Sequence, residues 1–430
     1  MARVRTTLEK PYLNPKVAHV DNRTPSEVLD FAFQALQRNH ESTRTSSSRG
    51  VFSVSPWRVF ATSDVHVDKR VNMDWVKKTC GTSNAPEEGT ILIVAGDVAT
   101  SEEKIVETFK LFKKKYQEVF YCVGNHELWS LTGKGEMGDS VDKFVQIIDS
   151  ASACGVRCTP EVFISSQEEL DATSTSDNSL ETKLVIAPML SWYTDTFAGG
   201  DRPFTQREMY FDGACIWPPA IGDPLDKRNS HPKTIDEFFR KLSGLSLDTF
   251  LAEEKRKNVA FLITFSHFLP LPALFHGNPF LVKVMGSENL GKDVLAFRNA
   301  CSCASKKSDR TFFDFTGFLS SSSVKHCHVF GHSHMNVDSE VEGSRWNLSL
   351  YSLISLIFLI FRPKHTFYRF SVSNHLFYVL WFFPRPKFLF PSYFCLKSSN
   401  HPFHRWYQRA IGYPNDRGGW TPEAPRQIYP

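Results

Sequence analysis

What the 430-residue chain lacks narrows its class before any motif is considered. The amino terminus has no apolar core, because Met1-Ala-Arg-Val-Arg runs into polar residues, so no secretory leader is expected. Glu9, Asp21, Glu27 and Asp30 argue against a transit peptide as well. No apolar run reaches the roughly 20 residues that a membrane span requires. The run Leu348–Phe361 is shorter, and Pro363, Pro384, Pro386 and Pro391 break up the stretch beyond it. Paired CxxC spacings are missing too. The 9 cysteines are odd in number, and Cys154/Cys158 and Cys301/Cys303 are too loosely spaced for a thiolate zinc site or a disulfide framework. A reduced, cytoplasmic protein is the expectation. Nor is there a charge signal for nucleic acid. The 50 Lys and Arg against 46 Asp and Glu give +4, but residues 347–403 carry Arg362, Lys364, Arg369, Arg385, Lys387 and Lys397 with no acid, which leaves the rest slightly acidic.

Composition divides the chain into four segments. Residues 1–50 form an extension with one helix. Thr24-Pro25-Ser26-Glu27 combines an N-cap, a first-turn proline and a capping-box glutamate ahead of Val28, Leu29, Phe31, Ala32, Ala35 and Leu36. That apolar stripe is expected to dock on the domain rather than serve a partner, and the polar, Ser-rich residues 41–50 read as a linker. From 51 to 346 short apolar β-runs alternate with polar or helical stretches: Trp57–Ala61, Thr90–Ala95, Val119–Val123, Leu184–Ala187, Val259–Phe265 and His326–Phe330. Helical spacing appears over Glu102–Tyr116, Ser140–Ser152 and Thr234–Leu242, and the alternation predicts an α/β sandwich. Residues 166–182 read as a surface loop.

Residues 347–403 break this style, holding eleven of the 37 phenylalanines and neither glycine nor acid. Their flanks repeat: Arg345-Trp346 recurs as Arg405-Trp406. Joining Trp346 to Tyr407 yields a plausible hairpin strand after Val337–Glu342, so about 347–406 is expected to be translated intron or misjoined sequence, with the domain resuming over 404–430.

Five of the β-runs end in metal-binding residue types. Trp57–Ala61 leads to Asp64-Val65-His66, Thr90–Ala95 to Gly96-Asp97, and Val119–Val123 to Gly124-Asn125-His126-Glu127. Val259–Phe265 leads to His267, and His326–Phe330 to Gly331-His332-Ser333-His334. Ligands of open α/β sheets gather beyond the carboxyl ends of strands, so these tips are expected to converge. Imidazoles and carboxylates together suit zinc, iron and manganese, and a bridging carboxylate holds two cations about 3.5–4 Å apart. Gly96, Gly124 and Gly331 allow sharp turns and close approach. His267 stands in little motif of its own, with Glu253, His231 and His276 as alternatives. His326 and His328 fit strand positions better than a metal.

The ordered set D-x-H, G-D, G-N-H-E, H, G-H-x-H resembles that of the calcineurin-like metallophosphoesterases, over about residues 57–346 and again from 407. The resemblance implies an αββα fold, a β-sandwich flanked by helices, with two metal ions (Mn, Fe or Zn). It puts Asp64, His66, Asp97 and His334 on one metal, and Asp97, Asn125, His267 and His332 on the other, with Asp97 bridging. It implies a phosphate-ester substrate, hydroxide attack on phosphorus, and His126 as general acid. The match departs from the Ser/Thr protein phosphatases, because Val123 stands where they carry a phosphate-binding arginine, and Gly96-Asp97-Val98-Ala99-Thr100 lacks their DRG aspartate. Glu127 and Asp68 are then the candidate partners of His126.

Residues 188–233 and 270–300 are expected to shape the substrate pocket, with Trp192, Tyr193 and Trp217 as packing or base-stacking aromatics. A second reading, from the segment 347–403, is a catalytically impaired metal-binding or interaction protein. A third places an enzyme at a membrane through that segment.

Overall fold

Strands that read as unbroken apolar runs form the middle of two sheets, since a strand covered on both faces has no polar side to show. The computed structural model describes residues 23–46, 57–130, 138–165, 182–198, 202–209, 211–221, 232–257, 259–303, 324–335, 337–341, 404–408 and 426–429. The chain divides into two units, residues 1–341 with 402–430, and residues 342–401. The second unit, the Phe-rich stretch and the expected 166–182 loop, apart from Thr182 at the start of a strand, lie outside the described residues.

The first sheet takes β1 (Arg58–Thr62), β2 (Glu87–Ala95) and β3 (Tyr116–Cys122) in parallel, with β10 (Arg426–Tyr429) antiparallel on the β1 edge. The second runs β4 (Glu161–Ser165), β5 (Thr182–Pro188), β6 (Val259–Phe265), β7 (Lys325–Phe330), β9 (His404–Gln408) and β8 (Val337–Val341). β5, β6, β7 and β9 are parallel, and β8 closes the edge antiparallel to β9. The sheets meet through aromatic packing: Phe120 of β3 lies 6.4 Å from Phe265 of β6, and Trp57 lies 4.8 Å from Phe163 of β4.

The helices are α1 (Pro25–Ser46), α2 (Arg70–Cys80), α3 (Glu102–Lys115), α4 (Ser140–Ala153), α5 (Gln206–Met209), α6 (Pro232–Phe250) and α7 (Glu288–Cys303). They flank the sheets in the αββα arrangement of the calcineurin-like fold. No described helix is long and apolar enough to cross a membrane.

α1 docks, as its stripe suggested. Val28, Ala32, Ala35 and Leu36 are fully buried, and the helix packs on α4 and α6. Arg38 forks onto Asp149, Asn39 bonds Val156 O and accepts from Cys158 N, and His40 stacks on Phe250. One expectation is corrected here: the linker does not begin at residue 41, because α1 continues to Ser46. Thr43 is buried against that same face and bonds back to Asn39 O, so tertiary packing overrides the polar composition.

Candidate metal centre

The five strand tips meet at one end of the sandwich. Beyond β1 and β2 the parallel pairing continues through the tips: Asp64 N donates to Gly96 O, His66 N to Asp97 O and Val67 N to Val98 O at 2.9–3.0 Å. Ser266 N donates to Val329 O and Gly331 N to His267 O, tying the β6 and β7 tips together in the same way. Asp64, His66, Asp97, His332 and His334 all adopt positive φ, between 45° and 73°. Such backbone is uncommon outside glycine, least so for Asp, Asn and His, and it turns each side chain back across the strand ends. Close approach also demands glycine. A Cβ on Gly124 would stand 2.1 Å from Asp97 Oδ1, and one on Gly96 2.5 Å from the His267 ring.

Two groups of donor atoms result, each with all its atoms within 4.8 Å of one another: Asp64, His66, Asp97 and His334, and Asp97, His267 and His332. Asp97 belongs to both. Asn125 joins the second, its Oδ1 standing 2.9 Å from His267 Nε2. Of the alternatives to His267, Glu253 and His276 are exposed, and His231 lies outside the described residues. His326 and His328 are buried strand residues bonded to Thr264 and Ser266.

Whether this arrangement suits cations can be tested from its protons. His267 Nδ1 faces Ala95 O at 3.0 Å, and His332 Nε2 faces Val284 O at 2.9 Å. A carbonyl only accepts, so those nitrogens carry the protons, and the lone pairs of His267 Nε2 and His332 Nδ1 face each other at 3.0 Å. Asp97 Oδ2 is buried with no hydrogen-bond partner among the described residues and lies 3.7 Å from His66 Nε2. Lone pairs crowded in this way repel unless a cation sits among them. Ligand atoms about 2.0–2.2 Å from a common ion stand about 3 Å apart, so the spacing fits.

The electrostatics agree. Burial, then the neighbouring imidazoles, hold His66 and His332 well below the usual histidine range. Burial, then the charges of Glu127 and Asp64, push Asp97 well above the usual carboxylate range. A bound cation would reverse both tendencies.

His126 sits beside the bridge. Its backbone N–H donates to Asp97 Oδ1 at 3.0 Å, and its Nε2 is 3.8 Å from Asp97 Oδ2. Trp129 covers its ring, with centroids 3.8 Å apart and planes at 31°. Burial, then the charges of His267, His334, Lys143 and Lys69, lower it to about 3. Both carboxylates proposed as its partner are engaged by other groups. Glu127 accepts backbone N–H groups from Asp97, Val98 and Gly124, knitting the two glycine turns together. Asp68 takes Thr100 N at 2.8 Å and lies 3.6 Å from Lys104.

Asp212 had no sequence signal. It is fully buried, and its Oδ1 receives Asn125 Nδ2 at 2.7 Å and Trp129 Nε1 at 2.9 Å. The segment that brings it in also lays Phe211 edge-on to His332, with centroids 5.6 Å apart. Trp192 and Tyr193 are buried in an aromatic cluster with Trp217, Phe239 and Phe268, which makes them packing residues.

Set against known proteins, residues 58–336 match the model of the calcineurin-like phosphoesterases. Among solved structures the chain is similar to the phosphopantetheinyl hydrolase PptH of Mycobacterium tuberculosis, at 17% identity over 67% of this chain and 87% of that one, with a TM-score of 0.43. It is more remotely similar to the Aquifex aeolicus protein AQ665, at 9% identity over 54% and 87% of the two chains, with a TM-score of 0.19. A search of curated proteins gave no match. With the family model spanning well over half of its length, the chain belongs to the calcineurin-like phosphoesterase family.

Proposed function

We propose that this protein hydrolyses a phosphomonoester or phosphodiester at a centre of two metal ions, manganese, iron or zinc. Asp64, His66, Asp97 and His334 would hold one ion, and Asp97, Asn125, His267 and His332 the other. The observation that carries the reading is Asp97, whose two oxygens face both donor groups while one of them lacks a hydrogen-bond partner among the described residues. When bound, the ions would acidify a water and neutralise phosphate oxygens.

The chain's own residues supply the rest. His126, stacked under Trp129, is held beside the bridge in one orientation as the proton donor to the leaving oxygen. Burial keeps its ring neutral in the free site, and a phosphate anion close by favours its protonated form. Val123 brings no charge to the substrate, which separates this site from those built around an arginine at that place.

We also propose the division 1–50, 51–346, 347–403 and 404–430, with 347–403 an insertion. Its support is the antiparallel register of β8 on β9, Val337↔Gln408 to Val341↔His404, which brackets the segment. A sheet that pairs across the segment favours catalysis over the impaired reading.

The test is to purify the chain with and without residues 347–406, measure bound metals, and assay aryl phosphate mono- and diesters with manganese. Hydrolysis of at least one ester is expected, and Asp97→Asn or His126→Gln should abolish it. Hydrolysis that survives Asp97→Asn would overturn the site.

A further inference from the structure

A side-chain amide is nearly symmetric in shape, so a metal-binding asparagine must be told which end to present. Asn125 faces two ways: one end lies 2.9 Å from His267 Nε2, and the other 2.7 Å from Asp212 Oδ1. A carboxylate only accepts, so the NH2 end belongs to Asp212 and the oxygen to the cluster. The reversed amide would set its oxygen against the carboxylate and its N–H2 against the cations. The same Oδ1 also receives the indole N–H of Trp129, the ring that covers His126.

Asp212 is fixed from outside the motif-bearing tips. Ser130 N donates to Ala214 O at 2.9 Å, Ser140 N to Ile216 O at 2.6 Å, and Ile216 N to Ser140 Oγ at 2.9 Å. Tyr193 supplies a further hydrogen bond to the carboxylate. The 211–216 segment is therefore sewn to Ser130, just after the GNHE turn, and to Ser140 at the start of α4.

We propose that Asp212 is a positioning residue that sets the amide orientation of Asn125 toward the second metal and holds Trp129 over His126; this rests on the two-metal reading above. Because both bonds end on Oδ1, the function needs an acceptor oxygen there, not a negative charge. Asp212→Asn keeps that oxygen, whereas Asp212→Ala removes it.

The experiment is a titration of metal-free full-length protein with Mn2+, resolving the stepwise affinities by calorimetry and by the spin signal of free Mn2+. In wild type two steps are expected. Asp212→Ala should weaken one step by about 10–100-fold, the usual scale for losing a residue that orients a metal ligand, and leave the other step near wild type. Asp212→Asn should hold both steps within about threefold of wild type on that scale. In an Asn125→Ala background, Asp212→Ala should add no further loss, since the amide it orients is gone.

Two unaltered steps in Asp212→Ala, or equal weakening of both, would overturn the proposal. So would loss of a step in Asp212→Asn, which keeps the test open if the alanine variant does not fold. Fewer than two manganese ions in wild type would instead refute the two-metal reading itself.

Discussion

Removing residues 347–406 is expected to stabilise the protein. In the structure Val341 pairs with His404, so residues 342–403, about 60 of them, lie between the last pair of the β8–β9 register. After the deletion Ser344, Arg345 and Trp346 fall where His404, Arg405 and Trp406 stood, and Tyr407 and Gln408 keep their partners Asp338 and Val337. Only Glu342-Gly343 remains between the strands, a two-residue hairpin connection with glycine in its second place. Counting chain closure alone at (3/2)RT ln n, a roughly 30-fold shorter connection is worth about 3 kcal/mol. In a unit of about 370 residues, at about 2.1 cal/mol/K of unfolding entropy per residue, that raises Tm by about 4 °C. Paired calorimetric scans of the two forms, with hydrogen exchange at the Val337–Val341 amides to track the register, make the assay. A Tm that is unchanged or lower, or amides that lose protection, would refute the reasoning.

Three other outcomes are expected from the site and from the docked helix. Glu127→Gln puts an N–H2 where a carboxylate oxygen accepts two buried backbone N–H groups, so about 2–6 kcal/mol should be lost on urea unfolding; a loss below about 1 kcal/mol would disprove the clamp. Gly124→Ala drives a Cβ into the Asp97 carboxylate and backbone nitrogen, so manganese affinity should fall at least about 10-fold and Tm should fall with it; wild-type affinity would contradict the contact. His40 is lowered to about 4 by burial, then by the charges of Arg44, Lys255 and Arg157. The unfolded chain binds that proton more readily, so stability is full above the unfolded value near pH 6.5 and declines as pH falls toward about 4. Protection of the α1 amides should therefore drop between pH 7 and pH 5, and constant protection would count against the assignment.

The sheet middles were legible because strands covered on both faces are unbroken apolar runs, and β6 spans the very residues Val259–Phe265. The gathering of the candidate ligands was legible for a related reason: an Asp or His placed just beyond the end of such a run is carried to the same end of the sandwich as its counterparts. α2 was missed. Its buried stripe is Asn72, Met73, Val76 and Cys80, and Asn72 owes its burial to bonds with Val65 O and His66 O that only the fold reveals. β4 is a five-residue edge with no local pattern strong enough to see, and β9 was legible only as the Tyr407 end of the hairpin strand expected after Val337–Glu342. Asp212 was invisible because its role depends on two side chains more than 80 positions away. Glu127 was visible as part of a motif, but its place in the string did not reveal the backbone N–H groups of Asp97, Val98 and Gly124 that it accepts.

The left-handed backbone at Asp64, His66, Asp97, His332 and His334 implies a conflict between robustness and use. Each position costs on the order of 1 kcal/mol relative to a relaxed residue. Glycine or asparagine there would relieve the backbone while removing a proposed ligand. Libraries of the metal-free protein sorted only for thermal resistance should therefore drift toward Gly and Asn at these five places, and the most durable descendants would be the inert ones.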